Sequence, residues 1–337
     1  MLINSSMINK YDKNNIHKVY DMWPLIAKEY SKKDYDKVEF NDINHIVFTG
    51  MGGSGAIGSV ISAILSKTNI FVDVTKGYHL TNLANSSTLV VATSASGNTL
   101  ETMTILKAAR RTGCKIIAFS SGGKMQQFCK KHEIEYRKIP ILNSPRASFP
   151  AYLYGILNVL EETISVNQTD IKESIEYMMQ TRKQVNSTNL TGNPSLELAE
   201  WLREIPIIYY PAGLQAVATR FKNSLQENAK THAMAEDIVE ACHNGIVSWE
   251  MPSIVHPILI EGKDDYVKTK QLWKIIKEYF LKNNIDYKEI HSVRGNILSK
   301  IINLIYLLDY ASIYYAMLRR IDPTPVKSIE YVKKRMI

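Results

Sequence analysis

From Asn44 onward, short runs that are apolar at nearly every position alternate with longer stretches whose apolar residues recur at helical spacing. "HIVFTG" (45–50) is bounded by turn residues and predicts a buried strand. "GAIGSVISAILSK" (55–67) then follows at helical period. "NIFVDVTKG" (69–77) and "STLVVATSASGN" (87–98) predict a second and a third strand. Thr99 to Arg111 predicts a helix, "CKIIAFSSGG" (114–123) a fourth strand, Lys124 to His132 a helix and "IEYRKIPI" (134–141) a fifth strand. Strands that are apolar throughout and alternate with helices imply a parallel sheet covered on both faces.

Before this unit stand about forty polar and aromatic residues, with one helical segment predicted from Ile16 to Tyr30. After it, 147–193 predicts mainly helix, including Ile171 to Val185. The alternation then restarts. "EIPIIYYPAGLQAVATRFKNSLQENAK" (204–230) predicts strand, a tight turn at Pro211-Ala212-Gly213, and helix. "SIVHPILIEG" (253–262) and "IDYKEIHS" (285–292) predict strands, and Tyr266–Leu281 and Gly295–Arg320 predict helices. Laid over "IVFTGMGGSGAIGSVI", the stretch "IIYYPAGLQAVATRFK" aligns strand on strand and turn on turn, which implies an internal duplication. Only the first copy keeps a glycine triplet at the turn. The expected organisation is an arm (1–40), a first α/β domain (41–150), a helical connector (151–193) and a second domain (194–337). The last of these closes on a short helix after the prolines of "DPTPVKSIEYVKKRMI".

The bulk numbers narrow the class. A chain of 337 residues suits two domains, and 45% hydrophobic with 22% charged residues is an ordinary globular balance. The net charge is +8 and the pI about 9.1. Basic pairs such as Arg110-Arg111 and Lys130-Lys131 fall at expected helix ends, not in a nucleic-acid footprint, so the charge is read as favouring a small anionic substrate. Three cysteines without pairing pattern fit a reducing compartment. With no signal-peptide pattern, and apolar stretches read as far short of a membrane span, the expectation is a cytoplasmic protein with neither membrane nor nucleic-acid partner.

Two loops carry candidate chemistry. Gly50, Gly52 and Gly55 spell G-x-G-x-x-G between a strand and a helix, the spacing of a dinucleotide cradle, with Asp73 near the place of a ribose ligand. The second loop, "SASGNT" (94–99), joins hydroxyls, a glycine and a helix start within six residues. Hydroxyls and free N–H groups at a helix N-terminus bind anions, and three hydroxyls exceed what a simple cap requires. "FSSGGK" (119–124) is a similar loop on the next strand. A dehydrogenase would explain the glycines and Asp73, but not "SASGNT" or the duplication.

"GMGGSGAIG" (50–58) followed by "TSASGNTLET" (93–102) resembles the sugar isomerase (SIS) domain. "SPRASF" (144–149), "LQENAK" (225–230), "CHNGIVSWE" (242–250) and the closing "DPTPV..I..VK" are, in that order, similar to the bifunctional phosphoglucose/phosphomannose isomerase family. The resemblance covers about residue 40 to the C-terminus. It implies two SIS domains, each a parallel sheet flanked by helices on both faces in a three-layer α/β/α, flavodoxin-like arrangement. It implies that Gly52, Gly53 and Ser54 line a sugar site and that Ser94, Ser96 and Thr99 hold the sugar phosphate. Arg146 would steady an enediolate, and Glu227 would be the base between C1 and C2. His243 and Lys333, with Lys334 as its one-residue rival, would open the ring. Thr324 would lie near C2. The histidine would come from a neighbouring subunit of a homodimer.

The chemistry is coherent on its own terms. Aldose–ketose exchange needs a base reaching two carbons, a positive partner for the enediolate, and an acid–base group that works near neutral pH. Taken singly, Glu227 could be a solvated helix residue, His243 a structural cap and Arg146 a salt-bridge residue. His232, His243 and His256 lack metal-ligand spacing, so no metal and no cofactor are expected. The alternative kept open is a sugar-phosphate-binding regulator without catalysis.

Overall fold

The computed structural model describes residues 3–164 and 166–336. The chain divides into two units. One comprises residues 22–176 with 296–299, the other residues 1–21, 177–295 and 300–337.

In the unit of residues 22–176, five strands pair in the order β2-β1-β3-β4-β5. They are β1 (His45–Thr49), β2 (Phe71–Thr75), β3 (Thr88–Ser94), β4 (Lys115–Ser120) and β5 (Glu135–Lys138), and every pairing is parallel. β1 and β3 are buried at every position, which is why their sequences carry no polar alternation. One face of the sheet packs Val47, Val90 and Ala118 against Ile105, Leu106 and Ala109 of the helix Leu100–Arg111. Each large apolar side chain buried this way contributes roughly 1.5–3 kcal/mol. The strand order reverses between β1 and β3, and the loops leaving their C-terminal ends are where such sheets bind ligands.

In the second unit, β6 (Ile205–Tyr210), β7 (Met234–Asp237), β8 (Val255–Glu261) and β9 (Lys288–His291) pair in parallel in the order β7-β6-β8-β9. This repeats β2-β1-β3-β4 strand for strand, so the duplication read from the turn alignment extends to the topology. Ile207, Tyr209 and Leu259 pack against Trp273, Ile276 and Phe280 of the helix Val267–Lys282. The helix Ile297–Leu318 stacks Tyr306, Tyr310 and Tyr314 at ring distances of 5.7 and 5.3 Å. Their hydroxyls donate to the carbonyls of Tyr20 (2.8 Å), His17 (3.1 Å) and Val185 (2.9 Å), so three buried phenols keep their hydrogen bonds.

Three expectations are corrected. The helical segment Ile16–Tyr30 is two helices, Ile16–Asp21 and Trp23–Tyr30. Pro24 sits in the first turn of the second, and its missing N–H cannot continue the first. β7 is a strand that the apolar pattern did not predict. It is four residues long and only partly buried, so it carries no apolar run. The helix Ile297–Leu318 is, by length and composition, long enough to cross a membrane, contrary to the reading of short apolar stretches. Of its 18-residue apolar window, 89% is buried inside the protein, so the core accounts for its composition.

Candidate active site

The glycine turn follows β1. Gly50 lies under β3, where a Cβ would stand 2.9 Å from the Thr93 carbonyl oxygen. A Cβ on Gly55 would stand 2.6 Å from the Gly50 carbonyl oxygen. These two glycines serve close packing. Gly52 differs: its φ is +55° and nothing lies within 4 Å of a Cβ placed there. It opens the helix Gly53–Leu65 without a side-chain cap. A Cβ on Gly53 would meet the Arg146 Cα at 3.5 Å, so the "SPRAS" loop lies directly against this turn. That loop is fixed by its own serines. Ser148 Oγ donates to the Ser144 carbonyl oxygen at 2.8 Å and accepts from the Leu142 N–H at 2.7 Å. Arg146 is buried within it.

The loop after β3 is built on Ser94. Its buried hydroxyl accepts the Gly97 N–H at 3.1 Å and shares a hydrogen bond with Thr99 Oγ1 at 2.9 Å. Thr99 occupies the N-cap of the helix Leu100–Arg111, yet its hydroxyl makes no bond to that helix. Ser96 Oγ accepts the Asn98 N–H at 3.2 Å. Ser54 Oγ accepts the Ala95 N–H at 3.4 Å and so ties the glycine turn to this loop. Gly97 has φ +67°, and a Cβ there would stand 1.8 Å from the Gly122 carbonyl oxygen. The loop after β4 is therefore pressed against it. Asn98 Oδ1 accepts the Lys124 N–H at 3.0 Å, which caps the helix Gly123–Lys131 from the neighbouring loop. Ser120 Oγ, also buried, bonds both the carbonyl and the N–H of Gly122 and the Tyr136 hydroxyl.

Three helices thus begin at one sheet edge, and none is capped by its own N-cap side chain. The helix Gly123–Lys131 already gives its Lys124 and Met125 N–H groups to Asn98 and Gly97, and Gly53–Leu65 gives its Ser54 N–H to the Met51 carbonyl, so the uncapped start of Leu100–Arg111 is the feature of this edge most attractive to an anion. The one acidic residue in these first turns is Glu101, whose charge, after burial, helps raise the pKa of Tyr78. Asp73 takes no part. Its carboxylate lies 3.3 Å from His45 Nε2, at the start of β1 and the other end of the strand from the glycine turn. The dinucleotide reading therefore lacks its acidic ligand.

The second unit holds the remaining candidates. Glu227 lies in the last turn of the helix Gln215–Ala229 and is partly exposed. The helix is anchored by a polar ladder at positions i, i+4 and i+8. Arg220 reaches Asp309 Oδ2 through Nε (3.0 Å) and Nη2 (2.6 Å), Ser224 Oγ donates to Asp309 Oδ1 (2.6 Å), and Asn228 Nδ2 donates to Ser312 Oγ (2.8 Å). Tyr20 also donates to Asp309, at 3.3 Å. Arg220 and Asp309 are both buried, so this ion pair is sustained by its added hydrogen bonds. The sequence reading missed Arg220, Ser224 and Asn228. Their spacing on one helical face was the available signal, but Asp309 lies far along the chain. It also missed Asn98 and Ser120, whose roles are set by loop-on-loop contact.

Thr324 follows Pro323, and its N–H donates to Asp322 Oδ1 at 2.9 Å. Lys230 Nζ reaches the carbonyl oxygens of Glu227 and Pro323, so Glu227 and the Thr324 segment are brought together. His243 follows the short helix Ile238–Ala241 and its backbone N–H donates to Glu240. Its imidazole is exposed and makes no hydrogen bond among the described residues. Lys333 ends the helix Lys327–Lys333, which has no buried side chain, and both it and Lys334 are exposed.

The second sheet's corresponding edge is different in kind. Where β3 ends in Ser94, β8 ends in Glu261, followed by Asp264 and Asp265. Glu261, Glu289 and His291 form the one metal-capable group among the described residues. The Lys277 ammonium already lies 2.9 Å from Glu261 and 3.0 Å from Glu289. Burial acts against its charge, but the two carboxylates outweigh it and raise its pKa. Asp264 is likewise paired, with Lys300 at 2.7 Å, so this edge is filled by ion pairs where the first sheet's edge carries hydroxyl loops.

Comparison with known proteins agrees with this division. Residues 39–148 match the model of the SIS domain, and residues 191–336 match that of the bacterial phospho-glucose isomerase C-terminal SIS domain. A bifunctional phosphoglucose/phosphomannose isomerase of Caldicellulosiruptor bescii is 31% identical over 333 residues, covering 94% of this chain and 97% of the relative. One from Aquifex aeolicus is 28% identical over 318 residues, covering 90% and 95%. Among solved structures, a hypothetical protein of Thermus thermophilus shares the fold at a TM-score of 0.74 and 13% identity, covering 98% of this chain and 92% of that one. A duplicated parallel sheet, hydroxyl loops at one edge and a relative similar along nearly its whole length lead to one conclusion: the chain belongs to the bifunctional phosphoglucose/phosphomannose isomerase family.

Proposed function

We propose that the protein interconverts glucose 6-phosphate and mannose 6-phosphate with fructose 6-phosphate, by proton transfer through a cis-enediol and without metal or cofactor. The observation that carries this reading is the edge where three helices start around the Ser94–Thr99 hydroxyl pair and the buried Arg146. Ser94, Ser96 and Thr99 bind the phosphate, with backbone N–H groups beside them. Gly52, Gly53 and Ser54 let the sugar approach the turn. A phosphate held away from the reacting carbons contributes its binding energy to positioning them.

In this reading the Glu227 carboxylate takes the proton from C2 of the open-chain aldose. The C2–H electron pair becomes the C1=C2 bond, and the carbonyl electrons move to O1. Arg146 stabilises the resulting negative charge. The carboxylic acid then returns the proton to C1 while the O2 proton passes to O1, which leaves a hydroxyl on C1 and a carbonyl at C2. His243 and Lys333 transfer protons at the ring oxygen and the anomeric hydroxyl, and Thr324 lies near C2, where the two aldoses differ. We further propose a homodimer in which His243 serves the partner's site, and a cytoplasmic location. The exposed imidazole supports the dimer, as do the exposed Val247 and Met251 that follow it.

A coupled assay of the purified protein tests the reading. Fructose 6-phosphate forms from both aldose phosphates in the presence of EDTA, and Glu227→Gln lowers the rate by about 10²–10⁴-fold. Sugar-phosphate binding without turnover would instead favour the regulator.

A further inference from the structure

We propose that Lys230 is a positioning residue that fastens the C-terminal segment of the chain to the helix bearing Glu227. The helix Gln215–Ala229 ends at Lys230 in the left-handed conformation, φ 54° and ψ 39°. Glycine is the usual occupant of such a position, because a Cβ is disfavoured there. The Lys230 ammonium lies 2.6 Å from the Glu227 carbonyl oxygen and 3.3 Å from that of Asn228, both in the last turn, where carbonyls lack helical partners. It also lies 3.3 Å from the carbonyl oxygen of Asp322 and 3.2 Å from that of Pro323.

A lysine that merely caps its own helix would touch only the first pair. Lys230 spans both, and the second pair immediately precedes Thr324. Arg319, which precedes that segment in the chain, bonds the same helix end, donating to the Ala229 carbonyl oxygen at 2.7 Å and to Thr231 Oγ1. Beyond Pro323 the chain enters Lys327–Lys333, a helix with no buried side chain. The ammonium therefore sets where the segment carrying Thr324 and Lys333 starts, relative to Glu227. The catalytic part of this inference rests on the site reading above, whereas the mechanical part does not.

The test uses the full chain and three variants. Lys230→Gly keeps a residue suited to the left-handed helix end and removes the ammonium, Lys230→Met removes the charge but keeps the bulk, and Lys230→Arg keeps a cation. Trypsin digestion followed by intact mass reads the release of the segment after Arg320 or Lys327. In Lys230→Gly and Lys230→Met this cleavage is expected to be about ten-fold faster or more, the loss of charged hydrogen bonds to two segments. In the same two variants kcat falls about ten-fold with KM changed less than about three-fold, the mark of misplaced catalytic groups rather than lost binding. Lys230→Arg restores most of both. Unchanged C-terminal cleavage in Lys230→Gly and Lys230→Met overturns the proposal. So does acceleration that is equal at Arg220 and Lys222 within the helix, which would mean general loosening. If the wild-type protein turned over no sugar phosphate, the functional reading would fail, and the proteolysis would still decide the tie.

Discussion

At the scale of single residues, the glycines separate by the contacts a side chain would make. Gly97 cannot accept a Cβ, since the carbonyl of Gly122 is 1.8 Å from that position and φ is +67°. Gly97→Ala is expected to destabilise the protein by about 3 kcal/mol or more and to abolish sugar-phosphate binding. Thermal unfolding and calorimetric titration read the two effects. Ser94→Ala keeps the backbone but removes the acceptor for the Gly97 N–H and the bond to Thr99. A rise of about ten-fold in KM, larger than the change in kcat, is expected from steady-state kinetics. Cys129 illustrates burial acting on chemistry: removal from water pushes its thiol up to about 12. At pH 8 the thiolate is then on the order of 10⁻⁴ of the population. Alkylation of the native protein followed by peptide mass mapping should leave Cys129 unmodified while the partly exposed Cys114 reacts.

At the scale of elements, the helix Gln215–Ala229 sets a buried polar ladder beside an apolar stripe of Val217, Phe221 and Leu225. Arg220→Met leaves Asp309 buried without its cation, and a loss of about 3–5 kcal/mol is expected in denaturant unfolding. Replacing both partners, Arg220→Met with Asp309→Leu, should recover a large part of that loss, because no charge is then left unpaired. This ladder also marks where sequence reading reached its limit. Arg220, Ser224 and Asn228 were visible at helical spacing, but partners 84 to 89 positions away leave no local trace. β1 and β3 were legible because burial on both faces leaves a continuous apolar run with polar residues only toward the strand ends, whereas β7 is short and half-covered and leaves no such pattern. "SASGNT" was legible because hydroxyls, glycine and helix start are contiguous. That Asn98 caps the next helix was not, because it depends on two loops meeting.

At the scale of the whole molecule, one α/β unit has been used twice and has diverged at its ligand edge. The first copy presents hydroxyl loops, and the second presents Glu261 and Asp264 held in ion pairs with Lys277 and Lys300. The anion site we propose lies on the first copy. If His243 acts on the partner's substrate, Glu227→Gln and His243→Ala are each nearly inactive alone. Mixed dimers then contain one site with both groups intact. After equimolar subunit exchange, random pairing predicts recovery of about a quarter of wild-type activity. No recovery after verified exchange would place both residues in one subunit's site.

Metal-independent proton transfer on a hexose phosphate can be followed directly at the reacting carbons. Fructose 6-phosphate is incubated with the protein in D₂O containing EDTA and followed by NMR. Both glucose 6-phosphate and mannose 6-phosphate should form, with solvent deuterium at C2 in the fraction of turnovers in which the Glu227 carboxylic acid exchanges with D₂O before it returns its proton, and Glu227→Gln should form neither at a comparable rate. An unchanged fructose 6-phosphate spectrum, or turnover only after a divalent metal is restored, would contradict the account.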